Sequence, residues 1–215
     1  LFTQTQFFRD RLRVLLASAI TKSINGSFHI GTLEGNLLSG FTVDSLSISY
    51  GNETILSTGR VTTRYEPLAL LGNSLKMSML IIERPTIHFV RSSSGEWNIA
   101  ALLKSDTAQS SGGGSPWNIH LSDLQLKNAS ISLVDSSSLA ATDHWDLPPS
   151  YFEYHRFSVQ DLALQMSAEI TPASIVARIA HLSCYSPQSE FGLTLFKGDV
   201  SVTEGGARID NAIIQ

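Results

Sequence analysis

The chain has 215 residues, a mass of 23.4 kDa, and a net charge of −4 with an isoelectric point near 5.8. That balance argues against nucleic acid as a partner, because neutralising phosphates needs a basic face and none is supplied. Charged residues make up 16% against 42% hydrophobic, and Ser and Thr fill the deficit, which favours pleated sheet over helix interiors.

The first predicted element is an amphipathic helix within residues 1–26, spanning Phe7 to Ile24. Thr3 and Gln6 can form a capping box, and Asn25-Gly26 is a C-terminal stop. Phe8, Leu12, Leu15, Leu16, Ala19 and Ser23 recur at three- and four-residue steps, with Arg9, Arg13 and Lys22 off that stripe. Such a helix is expected to cap the end of a sheet; the alternative is a helix lying at a membrane surface. The apolar stretch from Val14 to Ala17 is too short to cross a bilayer, which takes about 20 residues. The chain opens at Leu1 and reads as a segment of something longer, so any membrane anchor is expected upstream of residue 1.

Everything downstream reads as strands. From Ser45 to Tyr50 apolar residues alternate with Ser, giving one apolar and one wet face. The same period recurs at Met77/Met79/Ile81, Ile87/Phe89, Leu124/Leu126, Ile131/Leu133, Leu162/Leu164/Met166 and Leu193/Leu195. Turn signals separate the runs at Gly51-Asn52, Gly72-Asn73, Arg84-Pro85, Lys127-Asn128, Thr171-Pro172 and Gly205-Gly206. Short helical turns are expected at Pro67–Gly72, with Pro near its start and Gly at its end, and at Trp97–Leu103. A first β segment over 27–104 and a second over 117–215 are expected to continue one sheet, divided by a flexible Ser/Gly loop at 105–116. Residues 136–150 form a second irregular excursion.

The chain also repeats itself. Leu80 to Ser94 aligns without gaps on Leu124 to Ser138, an offset of 44 residues with six of fifteen positions identical. The expected unit is strand, tight turn, strand. A four-stranded propeller blade has a similar period, but only two copies occur and the Trp-Asp strand ending is missing.

Motifs for chemistry are sparse. The six histidines make no H-E-x-x-H or Cys/His zinc spacing, and no metal or other cofactor is implied. Asp143-His144-Trp145-Asp146 is the one dense carboxylate–imidazole cluster, in a Pro-bounded loop where such residues commonly serve as solvated turn residues. Gly31, Gly35 and Gly40 lead into no helix N-terminus that could cradle phosphate. No nucleophile elbow is present, and Cys184 has no motif to activate it; as the lone cysteine it reads as a small structural thiol. The sequons at Asn25, Asn52 and Asn128 fit chance occurrence in a Ser/Thr-rich chain. The absence of a paired acid–base constellation points away from an enzyme.

The stretch Leu33 to Ile48 resembles the opening of the AsmA/TamB family, where a short helix precedes an "L-x-G-x-L-x-x-G-h-x-h-x-x-L" strand pair. The likeness continues through Arg60–Tyr65, Pro67–Leu71, Leu75–Ile82 and Arg84–Phe89. It closes on Gly95–Leu102, similar to the family's "G-x-W-N-x-x-x-L", and Leu121–Ile131 is similar to its "L-x-L-x-x-A-x-h" strand turn. It covers Phe8 to Val134, departing at the Ser105–Ser115 insertion. The resemblance implies a periplasmic protein anchored to the inner membrane of a Gram-negative envelope. Its fold would be a curled antiparallel sheet forming a groove with an apolar inner face. Its expected partners are phospholipid and an outer-membrane β-barrel protein.

These readings converge on a non-enzymatic envelope protein whose apolar groove carries phospholipid between membranes. The expected lining is Leu46, Ile48, Tyr50, Ile87, Phe89, Leu124, Leu126, Ile131, Leu133, Leu162, Leu164 and Met166, with Ser45, Ser47, Ser49, Ser130 and Ser132 turned to water. About a dozen strands at about 4.8 Å would give roughly 60 Å of trough. The alternatives are a module that lends strand edges to assembling outer-membrane proteins and a carbohydrate-binding sandwich, for which Trp97, Trp117 and Trp145 are dispersed.

Overall fold

The computed structural model describes residues 24–36, 39–102, 118–137, 155–203 and 205–215. Their strands are β1 (Ser27–Ile30), β2 (Leu33–Asn36), β3 (Gly40–Val43), β4 (Leu46–Tyr50), β5 (Glu53–Thr58), β6 (Arg60–Tyr65), β7 (Ser74–Glu83), β8 (Thr86–Arg91), β9 (Asn118–Asp135), β10 (Arg156–Ile170), β11 (Ser174–Ser186), β12 (Phe191–Thr203) and β13 (Gly206–Ile214). A 3₁₀ turn at Pro67–Gly72 and a short helix α1 at Asn98–Leu102 stand where Pro/Gly punctuation and the Trp97 segment place them.

The thirteen strands make one sheet of nine rows. β1–β2, β3–β4, β5–β6 and β7–β8 are each a single row interrupted near its middle, because the two halves of each row pair with the two halves of the next. β9 to β13 are long, uninterrupted rows. All neighbours are antiparallel except one step: β7 and β8 both lie parallel to β9. Parallel neighbours require the chain to cross back over the sheet, and the crossover begins with α1.

The interruptions line up as a crease across the sheet. Gly31 N–H donates to Ser45 O (2.8 Å), Gly59 N–H to Glu83 O (2.9 Å), Arg84 N–H to Lys127 O (2.7 Å) and Ser130 N–H to Pro85 O (2.8 Å). The ladder is therefore maintained through the break. Arg84, Asn128 and Asp161 take left-handed backbone angles (φ 50°, 53° and 49°) in three successive rows, marking bulges that insert one residue and kink the strand. Arg84-Pro85 and Lys127-Asn128, expected as turns between strands, are kinks within rows. Gly51-Asn52, Thr171-Pro172 and Gly205-Gly206 do reverse the chain.

Two features of the expected architecture are corrected. The sheet is open: its order runs from the β1/β2 edge to β13 with no pairing between the edges, and it neither closes nor curls into a groove. It is also mixed rather than wholly antiparallel, since the duplicated strands lie side by side. Among the described residues there is no long amphipathic helix, the only α-helix being α1. The expected helix lies outside the described residues save for Ile24, which forms an extended bridge. Because thirteen strands occupy nine rows, the sheet is about 40 Å across at about 4.8 Å per row, not 60 Å.

Well-buried apolar side chains are concentrated at the first rows. Ile24, Ile55 and Leu102 form one cluster, with Phe28 and Ile48 against it; Ile30, Leu33 and Val43 form the other, with Phe41 and Val61. α1 is tied down there by Asn25 N–H donating to Leu102 O (2.7 Å). The approach is close enough that a Cβ on Gly26 would strike Ser49 O and the Leu102 side chain.

Candidate functional site: the apolar face

Residues paired across a ladder share a face, so the register assigns every strand position to one side of the sheet. One ladder runs through all nine rows: Leu33, Val43, Val61, Ile82, Leu126, Leu164, Leu182, Phe196, Ile214. Each of its members is apolar. A second runs Phe28, Ile48, Leu56, Ile87, Ile131, Val159 on the same side.

The twelve residues named from the sequence all fall on that face. Leu46, Ile48 and Tyr50 alternate along β4. Ile87 and Phe89 on β8 pair with Ile131 and Leu133 on β9. Leu124 and Leu126, earlier on β9, pair with Met166 and Leu164 on β10, and Leu162 pairs with Ala129. Ser47, Ser49, Ser130 and Ser132 lie on the opposite face, whereas Ser45 sits in the crease between β3 and β4.

Bulges keep the apolar residues in phase. Leu126 and Ile131 are five residues apart, and in a regular strand they would point to opposite faces. The extra residue at Asn128 restores the phase, as Arg84 does between Ile82 and Ile87. Strict alternation misassigns other residues for the same reason. Met77 lies on the apolar face, but a bulge before Met79 sends Met79 and Ile81 to the polar one. Leu193 pairs with Cys184 on the apolar face, and the next apolar-face position is Phe196 rather than Leu195. The sequence reading also passed over Leu75, Leu80, Ile82 and Phe157, which a search allowing one-residue insertions would have included.

The face is apolar but not sealed. Most of its residues are half-buried, and towards the last rows it opens, with Phe191 at 51%, Ile209 at 60% and Ile214 at 70% exposed. Two of its polar groups are buried at the well-packed end. Thr58 and Thr63 are buried, and neither hydroxyl oxygen has a partner among the described residues. Tyr65 packs edge-on against Phe41 with ring centroids 6.1 Å apart, and burial pushes its phenol pKa up. Burial likewise raises the Cys184 thiol, which keeps it protonated at neutral pH and a poor nucleophile.

The opposite face is polar and internally paired. His88 Nδ1 lies 2.7 Å from Ser132 Oγ. Arg178 and Asn211 both donate to the Asp199 carboxylate, at 2.9 and 2.8 Å, and hold its pKa below the usual range, the Asn211 bond contributing most. Arg178 and Asp199 line a shallow depression of about 370 Å³ with His120, Glu169 and Asp210. At the rim, Arg91 bonds Asp135 at 3.3 Å and stacks 5.7 Å from the Trp97 ring.

Among the described residues no three His, Cys, Asp or Glu side chains could jointly hold a metal ion, and no helix is long and apolar enough to cross a membrane. The Asp143–Asp146 cluster, Trp117 and the Ser/Gly loop lie outside the described residues. No family model matches the chain, and comparison with curated proteins returns no match.

Proposed function

We propose that this chain is a non-enzymatic lipid-handling element of a bacterial envelope, whose open apolar face receives phospholipid acyl chains while head groups stay in water. The carrying observation is the nine-row apolar ladder, buried at one end and 70% exposed at Ile214. A soluble domain rarely leaves so extended an apolar surface without a use for it. The resemblance to the AsmA/TamB family supports a periplasmic setting with an inner-membrane anchor upstream of residue 1. At about 40 Å across, this sheet supplies only part of any path between two membranes.

A second reading rests on the β13 edge. Among the described residues that strand pairs with β12 alone and exposes Ile209, Ile213 and Ile214, so its other side can lend hydrogen bonds to a strand of an assembling outer-membrane protein. The carbohydrate-binding sandwich needs a second sheet, and the described strands make one.

The test places a carboxylate on the face with Phe89→Asp or Leu126→Asp. Both sites are half-buried, so the charge can reach water, avoiding the several kcal/mol charged to a sealed site. The expected outcome is a folded protein that no longer co-purifies phospholipid in native mass spectrometry. Lipid retained at wild-type stoichiometry by both folded variants would overturn the carrier reading. Unfolding of both would show that the face is a closed core.

A further inference from the structure

We infer that the β7–β8 row and β9 are two copies of one duplicated unit, and that opposite charges at equivalent positions of the copies specify their parallel docking. Three observations converge. The sequence repeat has an offset of 44 residues. Every pairing between the rows, from Ser74 with Asn118 to Arg91 with Asp135, has that same separation. Both copies kink at the same place, Arg84 with φ 50° and Asn128 with φ 53°.

Identical strands laid parallel and in register put each residue opposite its own kind. For apolar positions this is favourable: Leu80 meets Leu124, Ile87 meets Ile131 and Phe89 meets Leu133. For charged positions it is repulsive. The copies have diverged at those positions, so that Glu83 faces Lys127 and Arg91 faces Asp135; the latter pair is a salt bridge of 3.3 Å. The Glu83 pairing extends an alternating row beside the crease, since Glu83 also faces Arg60 and Arg60 bonds Asp44 at 3.1 Å.

These charges discriminate where the apolar pattern cannot. A one-residue slip is already forbidden, because it turns every apolar side chain to the wrong face. A two-residue slip preserves the faces. It would, however, move Glu83 opposite Gln125 or Ala129 and Arg91 opposite Leu133 or Ser137, leaving four charges without their opposites. The matched kinks oppose the same slip, so charge and backbone specify one register together.

The test reads register by cross-linking in the full chain with Cys184→Ser. His88→Cys with Ser132→Cys reports the native register, and His88→Cys with Val134→Cys reports the two-residue slip. Combining Arg91→Asp with Lys127→Glu makes both pairs like-charged. The expected result is a melting temperature lower by up to about 8 °C, with cross-linking moved from position 132 towards 134. Adding Glu83→Lys and Asp135→Arg makes both pairs between the rows opposite again and is expected to return cross-linking to position 132, with the melting temperature recovering in part because Glu83→Lys sets a second cation opposite Arg60. An unchanged cross-linking pattern in the like-charged variant would overturn the inference. So would a fourfold variant whose cross-linking does not return to position 132, including the case where the like-charged variant does not fold at all.

Discussion

The two ends of the nine-row ladder carry the same kind of residue on the same face of the same sheet, yet they differ sharply in burial. Leu33 and Val43 are 6% and 2% exposed, whereas Ile214 is 70% exposed. Strand patterning does not explain the difference. At the first rows the face is covered beside Leu33 and Val43: Leu102 of α1, brought there by the crossover that the parallel step requires, and Ile24, just ahead of β1, pack on Ile55, while Leu33 and Val43 pack with Ile30, Phe28, Phe41 and Val61. Among the described residues the last rows have no such cover. An apolar face is thus a property of the strands, and whether it is core or surface depends on what the connections lay over it.

The comparison is broken most directly by truncating one side chain at each end. Ile55→Ala empties a site that is 2% exposed and is expected to cost about 2–5 kcal/mol, the range for aliphatic-to-Ala changes in packed cores. Ile214→Ala at the open end should change stability by no more than about 0.5 kcal/mol. Urea denaturation with a common m-value measures both. Similar losses at the two sites would show that the open end is covered in solution.

A smaller effect sharpens the same contrast. The Thr63 hydroxyl is sealed at the packed end without a partner among the described residues, and a buried unsatisfied group costs about 1–3 kcal/mol. Thr63→Val removes it with little change of shape and should raise the unfolding free energy by about 1 kcal/mol or more, seen as a higher denaturation midpoint. A midpoint that falls would mean that the hydroxyl is bonded after all, to a group on its own strand or to water.

What the sequence makes legible follows from how local each feature is. The face of Leu46, Ile48 and Tyr50 is readable because β4 alternates without interruption from Leu46 to Tyr50. The turn residues Gly51-Asn52 are readable because a two-residue reversal needs a left-handed angle, and Gly51 has φ 59°. The kinks were misread as turns because Asn and Pro mark both; only pairing with the next row separates a bulge from a reversal. The repeat was visible as an offset of 44, but nothing in the alignment reveals that the copies would be neighbours, which is a property of the crossover. The open sheet was likewise hidden, because closure depends on whether two distant edges meet. The apolar face is legible along uninterrupted strands but not beyond a bulge, as Met79, Ile81 and Leu195 show, and its exposure is not legible at all, since cover comes from elsewhere in the chain.

The smallest expected effect concerns charge on the two sides of the comparison. Asp135 lies at the rim beside β8, where the Ser137 hydroxyl and then Arg91 hold its carboxyl below the usual range. Asp199 lies among the open rows, held down by Asn211 and then Arg178. A carboxyl whose folded pKa is depressed contributes stability that is full above its unfolded value, about 3.9, and lost as pH falls through the folded value. Stability should therefore be flat with respect to these groups above about pH 5 and decline in more acidic solution. Asp135→Asn and Asp199→Asn should each be less stable than wild type near neutrality and converge on it towards pH 3. Both groups are solvent-accessible, so each difference should be modest and should shrink in high salt. Melting temperatures of the three proteins between pH 3 and 7, at low and high ionic strength, provide the measurement. A gap between variant and wild type that persists unchanged at pH 3 would assign the role of these residues to packing rather than to charge. If only Asp135→Asn shows the convergence, the electrostatic network is confined to the rim beside the duplicated strands, and the open rows rely on their backbone ladder alone.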